Sequence, residues 1–311
     1  MNATGPDMTL SIECVIISAA GLAINVLLFT IIVLNKDLRS KDYIIFILNR
    51  TLIDFLNSII LGTFQPLAIL TTSQSSMLCS TVGYIQSGMA SASIYAEPLL
   101  ACNRYISIFH SALYIKLYTP RNVYFMCLST WLFAFLSYIP YPLIGATGRV
   151  EGFPCSIKLS ENTLLVCFLS AFLTTLGLGL VCFFNFKIYR FMSAYTNQPM
   201  TNSQKTQLQN DREMLRFICA ATLVPLACQV LAVVGVFVEM LIPYMSPYIL
   251  CSSVTPFLLT FVINPALSIS MIRPIRREFR RRLSRKVVSH NSAPIGTLFH
   301  VQSNRISAQQ T

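Results

Sequence analysis

Long apolar stretches separated by short polar ones make up most of the chain. Seven of them are long enough to cross a bilayer core as helices, which takes about 20 residues each. They lie near residues 11–34, 43–70, 78–103, 122–146, 163–186, 215–241 and 248–272. Strict alternation of apolar and polar residues, the pattern of a membrane β-barrel, is absent. The pattern predicts an all-α membrane protein built as a seven-transmembrane helix bundle.

Composition supports this prediction and excludes an ordinary soluble domain. The chain has 311 residues, of which 54% are hydrophobic and 11% are charged. A soluble domain carries about a quarter charged residues. The excess apolar surface must therefore face lipid.

Basic residues give the expected orientation, because Lys and Arg accumulate in cytosolic loops. They concentrate in 35–42, 104–121, 187–216 and the C-terminal tail, whereas the opposite loops hold only Arg149 and Lys158. We therefore expect a cell-membrane protein whose residues 1–10 are extracellular and precede a transmembrane domain at 11–272. Asn2, in the triplet NAT, is then a candidate glycosylation site.

The segment after the last span predicts a short amphipathic helix at 273–286 on the inner leaflet. Ile275, Phe279 and Leu283 form one apolar stripe between arginines. The polar residues 287–311 are expected to be a disordered cytosolic tail. The net charge of +11 favours membrane lipids and an acidic intracellular partner over nucleic acid.

Most of the ten cysteines lie inside apolar helices, where a small buried side chain is the simplest interpretation. Cys79 and Cys155 differ, since both are expected at the extracellular face. A disulfide between them is plausible in that oxidising environment. It would tie the loop after the fourth helix across the outer mouth of the bundle.

Polar groups inside the spans are costly and are therefore functional candidates. Asp54 in the second span has Asn25, Ser93 and Asn264 at comparable depth. Such oxygen-bearing side chains suit a small hard cation such as sodium, with Asp54, Ser93 and Asn264 as ligands. A structural hydrogen-bond network is the alternative interpretation.

Two further charged residues complicate that region. Arg50 lies four residues before Asp54, so the two can pair on one helix face and compete with a cation. Glu97 is a second buried acid, with Arg50 or Arg104 as its possible partner. The sequence leaves these alternatives open.

Catalytic patterns are absent, and no enzyme activity or cofactor is expected. The sequence has no HExxH, phosphate-binding loop or dinucleotide fingerprint, and its three histidines all fall on the predicted cytosolic side. A seven-helix ion or solute transporter is the other functional class considered. Transporters tend to contain internal repeats, and none is visible between the two halves.

Several short motifs occur in a fixed order along the predicted helices. GLAIN ends at Asn25, LNRTLID contains Asp54, and Cys79 precedes Arg104 by 25 residues. Trp131 is the single tryptophan and resembles the one typical of the fourth helix. VPL at Pro225 and INPALS around Asn264 and Pro265 resemble the proline motifs of the sixth and seventh helices. In their order and spacing these motifs resemble the rhodopsin-like G-protein-coupled receptors. More narrowly, NRYISIFHSALY is similar to the melatonin-receptor group, and the divergence is like that of nematode chemosensory receptors.

The resemblance implies a receptor that binds an extracellular, neutral or weakly polar ligand and activates a heterotrimeric G protein. It assigns coupling to the triplet Asn103, Arg104 and Tyr105, in which Asn103 replaces the family's usual aspartate. It also implies an activation switch at Pro225, Asn264 and Pro265, and possible arrestin recruitment by a phosphorylated tail. The ligand-lining candidates are Gln86, Ser87, Ala90, Leu226 and Gln229.

Overall fold

The computed structural model describes residues 5–39, 42–71, 77–150, 153–157, 164–196, 223–228 and 247–291, and residues 230, 231, 234, 235 and 238 individually. The described chain is a helical bundle with one β-hairpin at one end. Asn2 and Gln229 lie outside the described residues, as does the tail beyond residue 291.

The long helices follow the apolar stretches of the sequence. The first four are α1 (Gly5–Val33), α2 (Lys36–Arg39), α3 (Asp42–Ile59) and α4 (Gln65–Thr71), and a π-helical turn, Ile60–Phe64, joins α3 to α4. They are followed by α5 (Met77–Phe109), α6 (Ser111–Leu117), α7 (Pro120–Tyr138) and α8 (Pro140–Leu143). The remaining helices are α9 (Leu164–Thr196), α10 (Pro247–Met271) and α11 (Arg273–Asn291). Strands β1 (Thr147–Val150) and β2 (Phe153–Ile157) form the hairpin between α8 and α9.

Six of the seven predicted spans correspond to described helices whose boundaries agree within about ten residues. The predicted span 215–241 is described only in part, with residues 223–228 helical. Within the described chain, three stretches are by themselves long and apolar enough to cross a membrane: Met8–Val33, Tyr43–Ala68 and Pro120–Leu143. Counting α10 and α11 together would add a fourth, although an 86° bend separates them.

The second long helical stretch contains a π-helical turn next to Pro66. Pro66 has no backbone N–H and cannot donate to the carbonyl of Gly62, four residues earlier. The π-helical turn at Ile60–Phe64 immediately precedes this position, and the Gln65 N–H bonds the carbonyl of Ile60, five residues earlier. Helix α4 contacts β2 of the hairpin.

Helix α5 occupies the centre of the bundle and packs against α3, α7 and α9. One core cluster at this contact joins Ile53 of α3, Met89 and Tyr95 of α5, and Ala134 of α7. Helix α1 lies to one side and packs against α3 and α10. Polar residues of α5 such as Gln86, Ser93 and Glu97 are consequently enclosed by protein and not by lipid.

The amphipathic helix α11 is docked on the protein by its apolar stripe. Ile275 is fully buried in a cluster with Leu28, Ile44 and Ile269, and Phe279 packs against the same cluster. Leu283 at the end of the stripe is exposed. The first two stripe residues therefore hold α11 against α1, α3 and α10, and the helix ends at Asn291, five residues later than predicted.

The hairpin after α8 covers the N-terminal end of α5. Its antiparallel strands pair Thr147 with Ile157 and Gly148 with Ser156. Gly145 opens the turn into β1 with φ of +70°, in the region that side chains with a Cβ atom rarely adopt. The hairpin contacts α5 through both strands.

Close helix contact at Gly62 generates a stability prediction. A Cβ at this position would overlap Ser18 Oγ and Cβ of α1, whereas a Cβ at Gly179 of α9 would meet no atom within 4 Å. We expect Gly62→Ala to lower the free energy of unfolding by about 1–3 kcal/mol because the helices must separate. Gly179→Ala is the matched control, and thermal unfolding of the purified proteins is the measurement. Equal midpoints for the two variants would contradict the assigned packing.

Candidate functional site

The predicted coupling triplet lies near the C-terminal end of α5. Asn103 and Arg104 are buried, and Asn103 Nδ2 has no hydrogen-bond partner among the described residues. Tyr105 is half-buried, with its ring 4.7 Å from Phe109 and 5.2 Å from Phe184 of α9. Tyr105 therefore joins α5 to α9, while Arg104 is enclosed by the bundle.

A buried charge cluster, formed by Arg50, Asp54 and Glu97, lies deeper in the bundle. Arg50 Nε donates to Asp54 Oδ2 at 3.1 Å and to Oδ1 at 3.2 Å. Arg50 Nη1 donates to Glu97 Oε1 at 3.0 Å and also to the carbonyl oxygen of Ser93. The guanidinium therefore bridges α3 and α5, and Glu97 contacts Arg50, one of the two partners that the sequence left open.

Two neutral side chains complete the environment of the Asp54 carboxylate. Ser93 Oγ donates to Oδ1 at 3.3 Å, and Asn264 Nδ2 donates to Oδ2 at 3.3 Å. Because Asn264 belongs to α10, the carboxylate connects three helices. Asp54, Ser93 and Asn264 come together as the sequence indicates.

Asn25 has a separate structural role from this cluster. Its Nδ2 donates to the carbonyl oxygens of Gly21 at 2.8 Å and Phe261 at 3.0 Å. The second bond crosses from α1 to α10. Asn25 therefore positions α10, the helix that carries Asn264.

The N-terminal end of α5 is joined to β2 by a disulfide between Cys79 and Cys155, whose Cα atoms are 5.3 Å apart. Gln65 reinforces this link from α4. Its Oε1 accepts from the backbone N–H of Cys155 at 2.8 Å, and its Nε2 donates to the Cys155 carbonyl at 3.0 Å. The buried glutamine thus pairs with β2 as an adjacent strand would.

The ligand-lining candidates differ in their burial. Gln86 is buried, and its Nε2 donates to Asn57 Oδ1 of α3 at 3.1 Å. Gln86 Oε1 has no partner within the described part of the chain. Ser87 and Ala90 on α5 and Leu226 are half-buried.

The predicted switch residues occupy two helices. Pro225 is buried within the helical stretch 223–228. Pro265 follows Asn264 inside α10, which continues through the proline to Met271. Asn264 therefore links this proline to the buried charge cluster.

Comparison with known families identifies the bundle. Residues 24–288 match the family described as "7 transmembrane receptor (rhodopsin family)". This match covers most of the chain. The protein belongs to the rhodopsin family of seven-transmembrane receptors.

Individual similarities to this receptor are weaker than the family match. The chain is 25% identical over 209 residues to the "G-protein coupled receptor moody" of Drosophila pseudoobscura pseudoobscura, covering 64% of this chain and 30% of that protein. For the Drosophila melanogaster protein of the same name, identity is 28% over 125 residues, covering 39% of this chain and 18% of the relative. The receptor therefore spans less than a third of the length of these relatives. The crystal structure of squid rhodopsin superposes with a TM-score of 0.74 at 17% identity, covering 91% of this chain and 87% of that one, and shows the shared fold.

Family membership makes this chain a multi-pass membrane receptor, and not an enzyme.

The hydrogen bonds around Asp54 bear on the cation expected beside it. A hard cation needs oxygen lone pairs directed at it. In this receptor both Asp54 oxygens already accept hydrogen bonds, and the positive group beside them is Arg50. The geometry does not fit a metal ion next to the guanidinium.

Sequence reasoning missed the two side-chain contacts of Gln65 and the partner of Trp131. Trp131 Nε1 donates to Asn49 Oδ1 at 2.9 Å, which ties α7 to α3. A lone amide or indole inside an apolar stretch signals a buried hydrogen bond. The sequence does not identify the partner, because the two residues are distant along the chain.

Glu278 is a further polar contact that the sequence did not reveal. It is buried on α11, and its carboxylate lies 2.7 Å from both Arg281 Nη2 and Arg282 Nε. Burial raises the pKa of Glu278, but hydrogen bonds from Arg281, Arg282 and the Asn35 side chain outweigh it and hold the pKa below the usual value. The carboxylate thus helps to anchor α11 beside the loop between α1 and α3.

We therefore predict that Glu278→Gln lowers the thermal unfolding midpoint at neutral pH, through a loss of about 1 kcal/mol of charge-assisted hydrogen bonding. Because the folded pKa is depressed, the parent has this contribution above the unfolded pKa and loses it as pH falls through the folded value. Thermal scans from neutral to acidic pH should show the parent and variant midpoints converging at low pH. A constant difference would rule out the carboxylate charge as the cause.

Proposed function

We propose that this protein is a cell-membrane receptor with its N-terminus outside, which binds an extracellular ligand and activates a heterotrimeric G protein at its cytosolic face. The observation that carries the proposal is the position of Arg104. It is buried near the cytosolic end of the central helix, beside an aromatic contact between α5 and α9. Opening of the bundle at this end would expose a basic side chain to an acidic partner.

The ligand proposed is neutral or weakly polar. The candidate region on α5 offers Gln86, Ser87 and Ala90, and none of these carries a charge. The buried carbonyl of Gln86, which lacks a partner among the described residues, supports a ligand with an N–H or O–H donor. Leu226 and Gln229 of the sixth predicted span would contribute further side chains to the ligand site.

The proposed activation switch is a pivot near Pro225 in the sixth predicted span, residues 215–241. Asn264 and Pro265 on α10 would respond together with it, since Asn264 donates to Asp54 at the centre of the bundle. An agonist must prefer the open state by about 5.5 kcal/mol to move such an equilibrium from 1:99 to 99:1. Differential contacts in the ligand region would have to supply that preference.

Two further partners belong to this proposal. The exposed arginines Arg277, Arg280 and Arg281 on α11 suit anionic lipid headgroups of the inner leaflet. Serines and threonines of the tail beyond residue 291 would recruit arrestin when phosphorylated. The triplet Asn103-Arg104-Tyr105 supports a place near the melatonin-receptor group or the nematode chemosensory receptors.

The experiment that tests the proposed function is a ligand-library screen in cells carrying a promiscuous G-protein reporter. We expect at least one neutral ligand to produce a response that Arg104→Ala abolishes without loss of surface expression. Reconstituted receptor should then accelerate nucleotide exchange on the purified G protein. Solute uptake into liposomes without G protein would instead support a transporter.

Asn103 generates a separate prediction about basal signalling. The usual aspartate would place a carboxylate next to Arg104 and stabilise the closed state, and Asn103 supplies no such charge. We expect Asn103→Asp to lower basal second-messenger output about fivefold, for about 1 kcal/mol of added restraint. Asn103→Ala is the control, since the amide nitrogen has no partner among the described residues to lose. Unchanged or increased basal output in Asn103→Asp would refute this role.

A further inference from the structure

Arg50, a side chain of the receptor itself, places a positive charge directly beside the Asp54 carboxylate. Arg50 Nε lies 3.1 Å and 3.2 Å from the two carboxylate oxygens. The pairing lies within one helix, because Arg50 precedes Asp54 by one turn of α3. A positive charge is therefore already present at the carboxylate.

The hydrogen bonds around Asp54 leave little capacity for an additional cation. Oδ1 accepts from Arg50 Nε and from Ser93 Oγ, whereas Oδ2 accepts from Arg50 Nε and from Asn264 Nδ2. All three neighbours direct a hydrogen toward the carboxylate. A metal ion would have to displace these donors and would also be repelled by the guanidinium at close range.

Arg50 is held in this position by a second set of contacts. Its Nη1 bonds Glu97 Oε1 at 3.0 Å and the Ser93 carbonyl oxygen, both on α5. Its side chain is 13% exposed. A long basic side chain near a helix end can extend to the membrane interface, but these contacts hold the guanidinium inside the bundle.

We propose that Arg50 is a built-in cation that takes the place of a diffusible sodium ion beside Asp54. The positive charge beside Asp54 is then supplied by the receptor's own side chain, and sodium does not regulate this receptor. Glu97 is the counter-charge that positions the arginine. The proposal concerns ion binding alone and does not depend on G-protein coupling.

The test is thermal unfolding of the purified full chain in sodium chloride and in choline chloride of equal ionic strength. We expect the parent and Arg50→Lys, which keeps the positive charge, to have the same midpoint in both salts. The double variant Arg50→Met/Glu97→Met removes the cation together with its second acid and leaves Asp54, Ser93 and Asn264 in place. The unfolding midpoint of this double variant should be about 3 °C higher in sodium chloride than in choline chloride, for sodium at about ten times its Kd.

Adding Asp54→Asn to the double variant should abolish that rise, because the carboxylate is the required ligand. The neutral pair Arg50→Gln/Glu97→Gln is a second test variant that keeps the side-chain sizes closer to the parent. A sodium-specific rise in the parent would overturn the proposal without any variant. A folded double variant of either kind that shows no sodium response would also overturn it, since there would be no cation position for Arg50 to fill.

Discussion

The guanidinium of Arg50 inside the bundle is the interaction on which the arrangement of the central helices depends. Taking a charge out of water costs several kcal/mol even after relaxation, so a buried arginine persists only with close acidic partners. Arg50 has Asp54 on its own helix and Glu97 on α5. Removing either acid would leave a buried charge incompletely paired, which typically costs about 3–5 kcal/mol. The relative position of α3 and α5 is therefore fixed electrostatically as well as by packing.

This constraint extends outward through hydrogen bonds in two directions. Asn264 connects the cluster to α10, and Asn25 connects α10 to α1 through the Phe261 carbonyl. Along α5, Arg104 lies seven residues beyond Glu97, about two helical turns away and on the same helix face. Positive and negative side chains thus alternate along the interior from Asp54 to Arg104.

Most of the fold could be predicted because each long helix in a bilayer must be apolar over its whole length. That requirement located six of the described helices. The disulfide between Cys79 and Cys155 was predicted because both residues were expected on the same face of the membrane. The docking of α11 could not be predicted fully, since the stripe of Ile275 and Phe279 suits a lipid surface as well as a protein surface. Only the tertiary structure shows that α1 and α3 cover it.

The candidate site was less predictable, because hydrogen bonding between distant residues has no sequence period. The sequence placed Asp54, Ser93 and Asn264 at similar depth but gave no means of choosing between a cation and Arg50. It likewise allowed Glu97 either arginine as a partner. In the structure Arg50 bonds both acids, because an arginine has donors on several sides and can reach two carboxylates at once. A lysine at position 50 would provide the charge but not the planar, forked geometry that reaches α3 and α5 together.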